Sequence, residues 1–162
     1  MTNVSKWSTT AGSNSTTSPD GFPENMAPSG LNNSSREMMA ALAKNHNDQN
    51  GSLILGGSGG AYTLTTNNAN ASLSDSAIII ARANHNASAS ATLNIDSLGV
   101  KEVKKYHDIP AGSGDIEAGQ LCMFIYNYTH DNYQLMNPSN RAGTFTTLDS
   151  TSFKAAANNF GA

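Results

Sequence analysis

The run LCMFIY, residues 121–126, is six apolar and aromatic residues in succession, with turn formers at Pro110 to Gly114 before it and at Asn127 to Asn132 after it. A run this short, bounded in this way, reads as a strand, because a buried helix needs roughly ten residues or more. The run AIII at 77–80, within AIIIAR at 77–82, has the same character. Neither alternates in polarity, so both are expected as central strands buried on both faces. Four more strands are expected around them: the first over Tyr62 to Thr65, then ATLNI at 91–95, VKEVKKY at 100–106 and YQLM at 133–136. Asn67-Asn68, Asn84 to Asn86 and Ser97-Leu98-Gly99 separate them. Short strands at this spacing, with no helical pattern between them, predict a small antiparallel β-sandwich or barrel over 61–138.

Composition agrees with a mainly β chain. Of 162 residues, 38% are hydrophobic and 13% charged, so most polar residues are uncharged Ser, Thr, Asn and Gly. These supply left-handed and side-chain-capped turns. Disorder of the usual kind needs high net charge, and the net charge is −3. Only Val100 to Tyr106, with Lys101, Lys104 and Lys105, is locally basic. Nucleic acid is therefore not an expected partner, since phosphate binding needs a concentrated positive face. The single Cys122 lies inside the apolar run and is expected as a small buried hydrophobe. No 18-residue apolar segment or charged-then-apolar leader is present, so neither membrane insertion nor an export signal is expected. The repeated Asn-x-Ser/Thr (Asn3, Asn14, Asn33, Asn70, Asn86 and Asn127) follows from composition and is not read as glycosylation.

Ahead of the strands, residues 1–28 show no periodicity. Trp7, Phe22 and Met26 are isolated apolar anchors in a Ser/Thr/Asn/Pro background. The expectation is an extended attachment arm ordered by docking, with Trp7, Phe22 and Met26 as the partner-docking residues. One short helix is expected over 29–50, capped by Ser29 or Ser34, the latter as a Ser-x-x-Glu box with Glu37. Leu31, Ser35, Met38 and Leu42 fall at i, i+4, i+7 and i+11, with Met39 beside them. Two readings of that stripe stand open: it packs on the chain's own β domain, or it packs against copies of itself or a partner subunit, as three short helices about a threefold axis would. Residues 51–60, with GGSGG at 56–60, are expected as a flexible linker. A phosphate-cradling loop would end in Lys-Ser/Thr or lead into an amphipathic helix, whereas AYTLTT follows here. Residues 139–162 carry Phe145, Leu148 and Phe153 in a Thr/Ser setting. They are too sparse for a core, but repeated about an axis they could form a shared seam.

No chemistry rises above the background. His46, His85, His107 and His130 are far apart in sequence and show no paired spacing of metal ligands. His107-Asp108 and His130-Asp131 could be pieces of a hydrolytic triad, but no serine in a strained elbow accompanies them. Asp96, Glu102, Asp108, Asp115 and Glu117 could include a glycosidase pair only if two faced each other across a cleft. Tyr106, Tyr126, Tyr128 and Tyr133 could offer a sugar-stacking surface. No catalytic residue, metal or cofactor is expected.

The order of motifs resembles the N-terminal part of tailed-bacteriophage tail fibre proteins. The likeness runs through Trp7-Ser8, Glu24 to Ser29, Asn32-Asn33, Arg36, Met38-Met39-Ala40 and Asp48 to Gly51. It continues through Gly59 to Thr65, Ala91 to Ile95, Leu98-Gly99, Ile116 to Leu121, Tyr126 and Tyr133 to Met136. Arg141 to Leu148 is similar to the start of a fibre shaft. The long shaft and receptor-binding tip of that family are missing, and KEVKKYHD is more basic than its counterpart. The resemblance implies a non-enzymatic structural virion protein, a homotrimeric tail fibre or fibre adaptor assembled in the bacterial cytoplasm. It implies docking of the arm on other tail proteins (an adaptor or nozzle), and trimer contacts by Leu31, Met38, Leu42, Phe145 and Leu148. A carbohydrate-binding module for a host-surface glycan, and a capsid decoration or head fibre protein, are the alternatives.

Overall fold

The computed structural model describes residue 4, residues 7–73 and residues 77–139. It is mostly β, with one helix and a nearly closed, barrel-like sheet. All six expected strands are present: β3 (Ala61–Leu64), β4 (Ile78–Arg82), β5 (Thr92–Ile95), β6 (Val100–Lys105), β8 (Leu121–Asn127) and β9 (Asn132–Leu135). Three short ones join them, β1 (Leu53–Ile54), β2 (Gly56–Ser58) and β7 (Ile109–Pro110). Side chains alternate across a strand, so Ile79 and Ala81 of β4 and Cys122, Phe124 and Tyr126 of β8 point inward. There they meet Tyr62, Leu93, Ile95, Val103, Tyr133 and Leu135 in one core.

The continuous apolar runs are not buried on both faces. On β8 the burial alternates, and Leu121 is exposed at its start. Ile78 is likewise exposed on β4. On the outward side one helix packs against β4, and among the described residues no second sheet covers these strands. Half a roof is enough to make the outer positions apolar, which is why the sequence does not alternate there.

Strand order around the sheet is β1-β4-β8-β9-β6-β5-β3-β2, with β7 paired to β6. Pairing is mixed: β1/β4, β3/β5 and β6/β9 are parallel, and the other neighbours antiparallel. The two ends of this order, β1 and β2, are separated in the chain by Leu55 alone. One extended segment therefore pairs with β4 through its first half and with β3 through its second, and closes the sheet on itself. Leu55 is buried and its N–H donates to Arg82 O at 2.9 Å.

This corrects the expected linker. Residues 53–58 are the closing strand, and Gly59-Gly60 is the two-residue turn of the β2–β3 hairpin, with Ser58 opposite Ala61. Both glycines have positive φ, 62° and 101°, which a type I′ turn demands.

The helix, α1 (Pro28–Gln49), is 22 residues long, roughly 33 Å at 1.5 Å per residue. Proline at its first position suits the locked φ and missing donor. Neither expected serine caps it: the N-cap position is Ala27, and Ser34 lies inside the helix. Gly51, with φ 81°, follows the C-cap Asn50 and stops it. The leader is not extended along its length either. A 3-10 turn at Ala11–Asn14 reverses it, and Phe22 N–H donates back to Asn14 O at 2.9 Å.

Candidate interaction surface

The inward side of α1 carries small or polar residues. Its buried positions are Ser34, Ala41 and Asp48. Ser34 Oγ donates to Gly21 O at 2.7 Å, and Ser18 Oγ donates to Gly30 O at 3.1 Å. The leader thus lies against the first half of the helix, where the absence of bulk lets backbone approach. Ala41 is fully buried. At the far end the Asp48 carboxylate accepts hydrogen bonds from Asn67 and Asn68. Gly51 sits against Leu121 and Ile80 on the outer face of the sheet.

The large apolar residues of the helix are left outside. Leu31 is 52% exposed, Met38 37%, Met39 68% and Leu42 51%. The structure brings the three helical trimerisation candidates, Leu31, Met38 and Leu42, onto one face, and of the two readings of the stripe it departs from the one that packs it on the chain's own domain. Followed through the helix, the face runs Leu31, Ser35, Met38, Leu42, Asn45 and Gln49. Those steps alternate four and three, the spacing of the inner positions of a coiled coil. No Lys, Arg, Asp or Glu falls among them. The remaining trimerisation candidates, Phe145 and Leu148, lie outside the described residues.

The docking candidates are divided. Phe22 is exposed, while Trp7 and Met26 are half-buried. A Cβ on Gly30 would come within 3.2 Å of Met26, so Met26 already packs on the first helical turn.

Other expected features serve the barrel. Tyr126 and Tyr133 are buried, which removes them from a sugar platform and leaves Tyr128 and Tyr106 exposed. Asp115 is buried; its Oδ1 accepts from Lys105 Nζ at 2.6 Å and its Oδ2 from Gly112 N–H at 2.7 Å. His85 stacks on Tyr62 with ring centroids 4.4 Å apart, and His107 meets His130 edge to face at 5.1 Å. Among the described residues, no three His, Cys, Asp or Glu side chains are grouped to hold a metal ion. Among them, too, no helix is long and apolar enough to cross a membrane. Burial pushes the Cys122 thiol up to about 12.

No protein-family model matches this sequence, and no curated protein sequence matches it. The functional reading therefore rests on the surface itself and on the motif order. Sequence reasoning missed the Asp48 clasp and the closing strand. The clasp had no local signal, because its partners are 19 and 20 residues away.

Proposed function

We propose that this chain is a structural protein of a tailed-phage virion, a trimeric tail fibre or fibre adaptor that attaches to other tail proteins through its leader. The observation that carries the reading is the uncovered face of α1. Its residues are spaced for a coiled-coil seam and are free of formal charge. Burying such a face against copies of itself removes apolar surface from water, at roughly 25 cal/mol per Å², and desolvates no ion. The number three and the phage setting come from the resemblance of residues 7–148 to tail fibre proteins.

In this reading Leu31, Met38 and Leu42 face the trimer axis, with Met39 on the flank. Ser34 holds each helix to its own leader, and Asp48 holds it to the loop after β3. Phe22, exposed, and Trp7, half-buried, are the apolar residues of the leader that a tail partner would bury. Docking three leaders at once multiplies weak contacts, since each bound arm raises the local concentration of the next.

Analytical ultracentrifugation of the purified chain tests the assembly. The expected species holds three 16.9 kDa chains. Met38→Asp with Leu42→Asp should yield monomers whose far-ultraviolet circular dichroism still reports the folded barrel. A monomeric parent, or a double variant that assembles like the parent, ends the trimer assignment. Particles assembled with the variant Trp7→Ala/Phe22→Ala should lack this protein; normal incorporation would remove the leader from the attachment role.

A further inference from the structure

The helix carries a heptad frame that fixes what stands beside it in an assembly. Along the stripe, steps of four and three make Leu31, Met38 and Asn45 d positions and Ser35, Leu42 and Gln49 a positions. The buried residues of α1, Ser34, Ala41 and Asp48, each stand one place before an a residue. All three are therefore g positions. Met39 stands one place after a d residue, at e, and at 68% exposed it is the barest large apolar residue of the helix.

Three helices that line a threefold axis run in the same direction, because rotation about an axis cannot reverse direction along it. In parallel helices the g positions of one lie beside the e positions of the next, each level with the e residue of the following heptad. Ser34 is thus level with Met39 of the neighbouring copy. Ser34 is already covered by its own leader, since its Oγ donates to Gly21 O at 2.7 Å. What the neighbour meets at this level is therefore the leader, where Phe22 follows Gly21 and is 41% exposed. The Phe22 N–H donates to Asn14 O at 2.9 Å, which anchors the backbone that presents the ring. A thioether against an aromatic ring is a favourable pair.

We propose that Met39 of each copy packs on Phe22 of the next, so that the helix of one chain clamps the leader of its neighbour. The contact rests on the trimer reading, which sedimentation checks by itself. Charge favours a second copy of this chain as the occupant. Identical chains bring identical charges to a shared seam, where like charges repel. No Lys, Arg, Asp or Glu stands at an a, d or e position between Leu31 and Gln49. A partner of another sequence imposes no such condition, since it can set an opposite charge against each one. Phe22 is then covered by the neighbour, which leaves Trp7 for the tail partner and ties the leader to assembly.

Full-length chains carrying Phe22→Cys, co-expressed and purified with full-length chains carrying Met39→Cys, test this. A short bismaleimide joins thiols that lie close together, and mass spectrometry reads the joined peptides. A peptide linking positions 22 and 39 then comes from two different chains, and the native Cys122 is buried. The expected result is that link in a preparation that sediments as a trimer. Replacing the Met39→Cys chain by Asn33→Cys, at an exposed f position turned away from the seam, should abolish it. A trimer without the link overturns the contact and leaves the trimer reading standing, whereas a monomer ends both. A link of equal yield from Asn33→Cys also overturns the contact. Met39→Ala spares the a and d positions, so the trimer should persist while the Phe22 amide exchanges at least about fivefold faster. A trimer of that variant with unchanged exchange at Phe22 overturns the clamp.

Discussion

Asp48, on the last turn of the helix, and Asn67, just past β3, are joined by two hydrogen bonds to one carboxylate oxygen. The backbone N–H of Asn67 donates to Oδ1 at 2.7 Å and its side-chain amide at 2.8 Å. Asn68 treats Oδ2 the same way, at 3.2 and 2.8 Å. A buried carboxylate at a helix C-terminus opposes the helix dipole, and four donors offset that cost. Because Asp48 shares a side of the helix with Ser34 and Ala41, the clasp also sets the rotation of α1. With those three turned inward, Leu31, Met38 and Leu42 are turned to solvent.

Asp48→Ala removes the acceptor from four donors. The expected loss is about 1–3 kcal/mol, with faster amide exchange over residues 40–50 and little change in the barrel. An unchanged melting temperature would show that the clasp contributes nothing.

Ala41 is fully buried, on the helix that packs against β4. Ala41→Leu should cost about 1–3 kcal/mol, because a well-packed contact has no room for three more carbons. Leu42→Ala, one residue away on the exposed face, should change the stability of a single chain by less than about 0.5 kcal/mol. Urea unfolding at dilute concentration checks both, and equal effects would contradict the observed rotation of the helix.

Gly57 has φ 91°, and a Cβ there would lie 1.9 Å from Ala61 O. Gly57→Ala should destabilise by more than about 1 kcal/mol, since both the dihedral and the contact oppose it. Gly12→Ala, with nothing within 4 Å, is the control and should be near neutral. Thermal melts of the two variants make the comparison.

Burial pushes the Cys122 thiol from 9.0 to about 12. Burial, helped by Cys122, pushes the Tyr62 phenol from 10.0 to about 12. Between those limits the folded chain keeps protons that the unfolded chain has lost. Stability is thus fully present below about pH 9 and declines as pH rises toward 12. Asp131 acts in the opposite sense: hydrogen bonds from Lys101 and then Tyr126 hold its carboxyl below the usual 3.8. Its contribution is present above that value and is lost on acidification, and it is small because the group is exposed. Melting temperature measured across pH should fall on the alkaline side, and less steeply in Cys122→Ala. A flat profile from about pH 9 to 12 would contradict the burial of both groups.

Much of the barrel was legible in the sequence. Six strands fell where short apolar runs met Asn, Gly and Pro turns, because alternation and turn chemistry are local properties. The closing strand was not legible. Its glycines suggested a linker, although Gly-Gly before a strand also marks a hairpin turn. What makes Leu53 to Ser58 a strand is that β3 and β4, well apart in sequence, each offer it an edge.

The helix shows the same division. Its existence, its end near Gly51 and the face shared by Leu31, Met38 and Leu42 follow from residue order, since a period of 3.6 residues is written in the chain. Whether that face is covered does not follow. It depends on Ser34 and Asp48 finding Gly21 and Asn67–Asn68, and on the helix finding β4, contacts between residues far apart in sequence. Spacing along a chain states which side chains share a surface, and only the folded neighbours decide which surface meets water.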